Sequence, residues 1–222
     1  MSELVIFDLD NTLIKEQSQA LLLNYARKKR LINPFFYFTI MFWFILYKIG
    51  LVKNPKKIME YSFNFLKDKS PRDFEKIIED FFRENLKLII FKEALELVKE
   101  HKNKGRKILI VSNAIDYIPQ KVGQFLDIDY FIGTRLETKN NKFTGKIEGD
   151  IIYGRNKVFA IKRFIRENDL SLKNSWGYSD HYSDIPLLEM TANPVAVNPD
   201  KELKKEAIRK TWPILIFKET II

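Results

Sequence analysis

Residues 4–7 of the chain, Leu-Val-Ile-Phe, form an unbroken apolar run between Glu3 and Asp8. Side chains alternate between the two faces of a strand. A strand that is hydrophobic on both faces therefore belongs inside a sheet covered on both sides. A second such run, KILIVS at 107–112, follows a helical pattern over 91–104, with Gly105 at the stop position. Shorter apolar runs occur at 130–132, 176–178 and 194–197, and helical patterns occupy 116–126, 156–168 and 200–210. Strands alternating with helices predict an α/β fold built on a doubly wound parallel sheet. The stretch RLETKNNKFTGKI breaks the alternation. It predicts a small β-hairpin turning at Asn140 and Asn141, because Asn tolerates the positive φ such turns need.

Residues 15–87 carry no strand signal and far exceed a single crossover helix. They are expected to form an inserted all-helical domain, with 1–14 and 88–222 making the α/β core. Ser70-Pro71-Arg72-Asp73 is a helix start: Ser as N-cap, Pro at the first helical position, an acid in the first turn. The outlier in the insertion is PFFYFTIMFWFILYKIG, residues 34–50. Positions 35–47 are uncharged, preceded by Arg27, Lys28, Lys29 and Arg30 and followed by Lys48, Lys53, Lys56 and Lys57. As a helix the uncharged part spans about 20 Å, short of a hydrocarbon core of roughly 30 Å, so a membrane span is disfavoured. Two readings stay open. The segment is a core helix of the insertion, or it lies in a membrane interface with its basic flanks on anionic lipid.

Of 222 residues, 45% are hydrophobic and 30% charged, the balance of a soluble globular chain. No Cys is present, which excludes disulfides and thiolate metal sites. No basic n-region leads into an apolar h-region at the start. The cytoplasm is therefore the expected compartment, with membrane association left open through 34–50. The net charge of +9 favours phosphorylated metabolites, acidic lipid surfaces or nucleic acid as partners, or else marks only a lysine-rich solvated surface.

In open α/β sheets, ligands bind beyond the carboxyl ends of the strands. Asp8 and Asp10 follow the first strand, Ser112 ends the next, and Asp180 follows the run at 176–178. Carboxylates gathered there repel one another unless a cation joins them. With no Cys and only His101 and His181, zinc is a poor candidate and oxygen-liganded Mg²⁺ the natural one. His101 reads as an exposed helix-end residue and His181 as a solvated loop residue. TGKI at 144–147 is not a P-loop, since Asn140 stands where Gly is required and Ile147 where Ser or Thr is.

DLDNT at 8–12 resembles the DxDxT signature of haloacid dehalogenase-type phosphatases. Ser112 after an apolar strand, Lys157 in YGRNK, and Asp180 and Asp184 in SDHYSD follow in the family's order. The hairpin at 134–149 and the stretch after Asp184 are similar to subfamily IB, which includes phosphoserine phosphatase-like hydrolases. The resemblance covers most of 1–14 and about 105–216. It implies a Rossmann-like core with a helical cap, and a hydrolase forming an aspartyl phosphate on Asp8. Asp10 would act as general acid and base. Asp8, the Asp10 backbone carbonyl and Asp180 would hold Mg²⁺, with Asp184 orienting the metal site. Thr12, Ser112, Asn113 and Lys157 would bind the phosphate.

Substrate choice in this family falls to the cap. Phosphoserine phosphatases of the family carry Glu nine residues after the nucleophile, and Gln17 stands there in this chain, with Glu16 beside it. The substrate is thus expected to be another small phosphorylated metabolite or a lipid phosphate. The hydrophobic cap segment resembles that of phosphatidylglycerophosphate phosphatases, which makes a membrane-surface enzyme one alternative. A phosphotransferase passing the phosphoryl group to an alcohol is another, and a non-catalytic binding module is the remote one. No nucleic-acid partner is expected. Oligomeric state is not legible in the sequence.

Overall fold

The computed structural model describes residues 3–48, 51, 54–128 and 130–221. Ile49, Gly50 and Lys53 of the aromatic segment and its flank, and residues 1, 2 and 222 of the expected core, lie outside the described residues. The strands are β1 (Glu3–Phe7), β2 (Lys107–Ile115), β3 (Tyr130–Lys139), β4 (Lys142–Glu148), β5 (Ser171–Ser179), β6 (Asn193–Val197) and β7 (Ile214–Leu215). They form one sheet in the order β4-β3-β2-β1-β5-β6-β7, parallel throughout except for the β3–β4 pair. Between β1 and β2 lie α1 (Ser18–Lys28), α2 (Pro34–Lys48), α3 (Pro55–Phe63), α4 (Pro71–Phe81) and α5 (Lys92–Asn103). The helices after β2 are α6 (Tyr117–Leu126), α7 (Arg155–Glu167), α8 (Ile185–Glu189) and α9 (Lys201–Arg209). The doubly wound α/β reading is borne out.

The pleat of the inner strands explains the two-sided covering. Val5, Phe7, Ile108 and Ile110 point into one cluster with Val98 of α5 and Val122 of α6. Leu4, Ile6, Leu109 and Val111 point into another with Ile161 of α7, Leu187 of α8 and Leu203 of α9. Each fully buried Leu, Ile or Phe contributes roughly 1.5–3 kcal/mol of transfer free energy, so a polar residue in either register would undo one layer. The chain runs from β1 to β2 and β3 on one side, then to β5, β6 and β7 on the other. The order therefore reverses between β1 and β5, and the crevice at that switch point is where such sheets bind ligands.

The hairpin turns where the sequence placed it, with Asn140 at φ 50° and Asn141 at φ 57°. Its first arm is not a separate strand: β3 runs unbroken from the sheet into the hairpin. The hairpin grips the helices that precede β2. Phe143 N–H donates to Lys69 O and Asp68 N–H to Phe143 O, both at 2.9 Å, and Ile147 N–H donates to Glu60 Oε1 at 3.1 Å. Phe63, Phe74, Ile78 and Phe81 of α3 and α4 share the buried cluster of the sheet's upper face. Ser70 caps α4 through Asp73 N–H, and the Ser70 hydroxyl bonds the Asp73 carboxylate at 2.7 Å.

β2 and β3 approach closely near the strand ends. A Cβ on Gly133 would meet the Asp116 Cα at 2.5 Å, so only glycine fits. Thr134 then anchors the end of β2, its hydroxyl donating to Asn113 O at 2.9 Å.

His101 overturns the expectation of an exposed helix end. It is 2% exposed, because the last turn of α5 lies against β5. Arg106 donates to its Nδ1 at 3.0 Å, and arginine has no acceptor, so Nδ1 is the unprotonated nitrogen. The Nε2–H then donates to Tyr178 Oη at 2.8 Å. β7, paired with β6, falls on the short apolar run at 214–217, which the sequence reading did not assign.

Candidate active site

The β1–β5 crevice gathers the acidic residues. Asp8 is the first residue beyond β1, held in the ladder by its N–H donating to Tyr178 O at 2.9 Å. Asp180 is the first beyond β5. Asp8, Lys157, Asp180 and Asp184 are all buried. Lys157, in the first turn of α7, reaches into the crevice between two carboxylates. Its Nζ lies 2.5 Å from Asp8 Oδ1 and 2.6 Å from Asp184 Oδ2.

Asp184 stands at the start of α8 but does not cap it. Its Oδ2 also accepts from Ser179 Oγ at 2.7 Å, while its Oδ1 is buried without a hydrogen-bond partner. Asn11, at φ 55°, turns its amide to Asp180 Oδ2 at 2.9 Å. Asn198 in turn donates to Asn11 O at 3.2 Å, which fixes the loop after β1. The Asp10 carboxylate faces α1, where Ser18 N–H donates to Oδ1 at 3.0 Å.

Ser112 and Asn113 lie on β2 beside this loop, since the register pairs Phe7 with Ile110. The Ser112 hydroxyl accepts from Ala114 N–H at 3.0 Å. Thr12 Oγ1 and Asn113 Oδ1 are buried without partners. Buried polar atoms are rarely left so, and several around one crevice mark a place where a ligand completes the bonding.

Charge is unbalanced in the crevice. Burial raises the Asp8 carboxyl well above the ordinary range; Lys157 opposes the rise, and Asp184 and Asp180 add to it. Burial raises Asp10 to about 6, against the Ser18 hydrogen bond. Burial likewise raises Asp180 to about 7, against Asn11 and Lys157, with Asp184 adding. Burial works against the Lys157 ammonium, yet Asp184 and Asp8 together outweigh it and hold that pKa above its ordinary value. One lysine does not neutralise this many carboxylates.

A cation would, and the donors suit a hard one. Among the described residues no three His, Cys, Asp or Glu side chains are set to hold a metal ion. Lys157 bonds one oxygen of Asp8 and Asn11 one oxygen of Asp180, so the second oxygen of each can serve as a donor, with backbone carbonyls of the loop to complete an oxygen set. That set fits Mg²⁺.

Of the residues singled out in the sequence, Asp8, Lys157, Asp184 and Asp180 surround one crevice. Asp10 and Thr12 lie on the loop after β1, and Ser112 and Asn113 on β2 beside it. The sequence reading missed Asn11, Ser18, Ser179 and Asn198. Asn11 sits inside DLDNT and Ser179 directly before Asp180, so the motifs pointed at them without giving a role. Ser18 and Asn198 had no signal, because their contacts depend on how distant loops meet. His181 lies at the rim, its Nδ1 within 2.9 Å of Ser183 Oγ.

The profile of the haloacid dehalogenase-like hydrolase family matches residues 5–189. Histidinol-phosphatase from Neisseria meningitidis serogroup C (strain 8013) is 31% identical over 230 residues, covering 98% of this chain and 100% of that protein. "Inhibition of morphological differentiation protein" from Streptomyces azureus is 34% identical over 144 residues, covering 64% of this chain. The chain spans 52% of the length of that protein. A protein of unknown function from Bordetella pertussis Tohama I superposes with a TM-score of 0.89 at 24% identity, covering 97% of this chain and 99% of that one. A phospho-aspartyl intermediate analogue of phosphoserine phosphatase superposes at 0.68 with 22% identity, covering 99% and 95%.

Proposed function

The chain belongs to the haloacid dehalogenase-like hydrolase family, and from that premise we propose that it hydrolyses phosphomonoesters through an aspartyl phosphate on Asp8. The observation that carries this reading is Lys157, buried and bonded to both Asp8 and Asp184. A lysine so placed favours the ionised form of Asp8 against the effect of burial, aligns the carboxylate, and brings positive charge to where a phosphate has to sit.

Mg²⁺ would be held by the Asp8 and Asp180 carboxylates and the Asp10 carbonyl, and when bound it supplies the positive charge that lets an anionic ester approach an anionic nucleophile. The protein groups carry the remaining chemistry. An Asp8 oxygen attacks phosphorus while the bond from phosphorus to the leaving alcohol oxygen breaks. Asp10, raised to about 6 by burial, gives its proton to that oxygen. It then takes a proton from the water that attacks the aspartyl phosphate, releasing inorganic phosphate and restoring Asp8. Thr12 and Ser112 hold phosphate oxygens, and Asp184 fixes the lysine.

Helices α1 to α4 serve as the cap over this crevice, and the substrate is a small phosphorylated metabolite or a lipid phosphate. The full-length match to histidinol-phosphatase supports a phosphorylated amino alcohol as the first candidate. Gln17, exposed in place of the family's recognition Glu, argues against phosphoserine.

Phosphate release from a panel of soluble and lipid phosphomonoesters, with Mg²⁺ present, tests the reading. Wild type turns over at least one member, and Asp8→Asn turns over none, since an amide cannot attack phosphorus. Turnover by Asp8→Asn overturns the aspartyl-phosphate route. Alcohol acceptors in the same assay separate transfer from hydrolysis.

A further inference from the structure

From Phe35 to Ile45 helix α2 carries no charged residue, and among the described residues only one side of it is covered. Ile40 is fully buried, and Phe36, Tyr37 and Phe44 pack with it against Leu23 and Ala26 of α1. The opposite side is open to solvent. Phe35 is 81% exposed, Phe38 63%, Phe42 57% and Ile45 56%. Spacings of three, four and three residues align these four in one stripe, flanked by Met41 and Trp43, both partly open. A contiguous aromatic stripe of this kind on a water-facing surface marks an interaction site.

The charge around the stripe says what covers it. Residues 18–63 hold eight Lys or Arg against a single acid, Glu60, a net +7 of the chain's +9. Lys28, Arg30 and Lys57 are exposed and flank α2 on either side in the sequence. Lys29 is paired with Glu84 at 2.8 Å, and Arg27 lies over the Tyr37 ring at 4.8 Å. Asn33 caps the helix start, its Oδ1 accepting from Phe36 N–H at 2.7 Å, so the stripe is presented by a fixed helix. A second copy of the chain would set two such positive faces against each other, which like-charge repulsion opposes. Phe35, Phe38, Phe42 and Ile45 offer no hydrogen-bonding group to register against a polar protein surface. A bilayer interface needs none, takes up aromatic rings at headgroup depth, and attracts Lys and Arg when its lipids are anionic. Among the described residues no helix is long and apolar enough to cross a membrane, which leaves a helix lying flat.

We propose that α2 docks in the plane of an anionic bilayer surface, with Phe35, Phe38, Phe42 and Ile45 at the boundary between headgroups and acyl chains and Lys28, Arg30 and Lys57 on the headgroup phosphates. The docking is independent of the catalytic reading, because no residue of the crevice takes part in it.

Flotation of the full chain with two vesicle types tests this. One is phosphatidylcholine alone; the other is phosphatidylcholine mixed with phosphatidylglycerol. Partitioning onto the anionic vesicles is expected to exceed that onto neutral ones by about tenfold or more at low salt, and to fall in high salt. Phe38→Ser with Phe42→Ser, and separately Lys28→Glu with Arg30→Glu, should each lose most of that binding. Both pairs lie on the surface, so melting temperature and turnover of a soluble phosphomonoester stay at wild-type values. Equal binding to both vesicle types, or binding unchanged in the Phe pair, overturns the proposal. So does a dimer in sedimentation that the Phe pair converts to monomer, since a second copy then covers the stripe. Loss of phosphatase activity with vesicle binding intact would sink only the catalytic reading.

Discussion

The Asp10 carboxylate accepts the backbone N–H of Ser18, the first residue of α1, at 3.0 Å. Gln17, in the N-cap position, makes no side-chain cap of its own. Asp10 therefore supplies an orphan N–H of α1 with its acceptor from eight residues upstream, at the positive end of the helix. One carboxylate ties the helices after β1 to the loop that carries Asp8 and, in the proposed reaction, also moves the proton.

These two duties separate by mutation. Asp10→Asn keeps an acceptor for Ser18 but cannot shuttle a proton, so kcat should fall by about 10²–10⁴ with little change in melting temperature. Asp10→Ala should lose the same activity and in addition roughly 1 kcal/mol of stability, the usual loss for a helix cap. Steady-state kinetics and urea unfolding on both variants decide it. An Asn variant with wild-type kcat would remove Asp10 from the chemistry.

Much of this was legible in the sequence, for definite reasons. Leu4 to Phe7 could only be an interior strand, and the Asp residues beyond it could only stand at the sheet's carboxyl edge. Asn140 and Asn141 fixed the hairpin through their tolerance of positive φ. What stayed hidden depends on contacts between distant segments. Nothing near Ser18 says that its N–H meets Asp10. His101 looks like a polar residue ending an amphipathic helix until Tyr178 and Arg106 are folded around it. Asp184 was singled out through the resemblance, but its bonds to Lys157 and Ser179 had no signal in the sequence.

Among the described residues Lys157 is the one cation shared by Asp8 and Asp184, so removing it leaves two buried carboxylates without a positive partner. Lys157→Met is expected to destabilise the protein by about 3–5 kcal/mol and to abolish turnover. Adding Asp184→Asn to that variant removes one of the stranded charges and should restore part of the stability, without activity. Denaturant melts of both single variants and the double variant form a closed cycle. A Lys157→Met protein as stable as wild type would show that the bonds to Asp8 and Asp184 contribute nothing net.

The raised carboxyls give the metal-free protein a pH dependence of definite sign. Asp10 and Asp180 titrate near 6 and 7 in the folded state, against an ordinary 3.8. Between those values the folded chain binds more protons than the unfolded one, so stability falls as pH rises through the window. In EDTA the melting temperature should therefore be lower near pH 8 than near pH 6.5. Mg²⁺ binds the ionised form, so its stabilisation should be greater near pH 8 and should flatten or reverse the trend. Thermal melts at the two pH values, with EDTA and with Mg²⁺, read this directly. A Mg²⁺ shift of equal size at both would mean that these carboxylates do not hold the ion.

His101 acts at lower pH, with the opposite sign. Burial, helped by the Arg106 guanidinium, lowers it from 6.5 to about 4. The unfolded chain then binds the extra proton between those values, so its contribution to stability is whole above about pH 6.5 and is lost as pH falls toward 4. A shift of that size corresponds to up to about 3 kcal/mol. A protonated ring would also set an N–H against Arg106, which has only donors to offer. His101→Gln is expected to be less stable than wild type at neutral pH, because the packing against Trp176 and Tyr178 suffers. Its stability should nevertheless decline less steeply between pH 6.5 and 4. Urea unfolding across that range compares the two slopes. Parallel slopes would mean that His101 takes up its proton in the folded state as readily as in the unfolded chain.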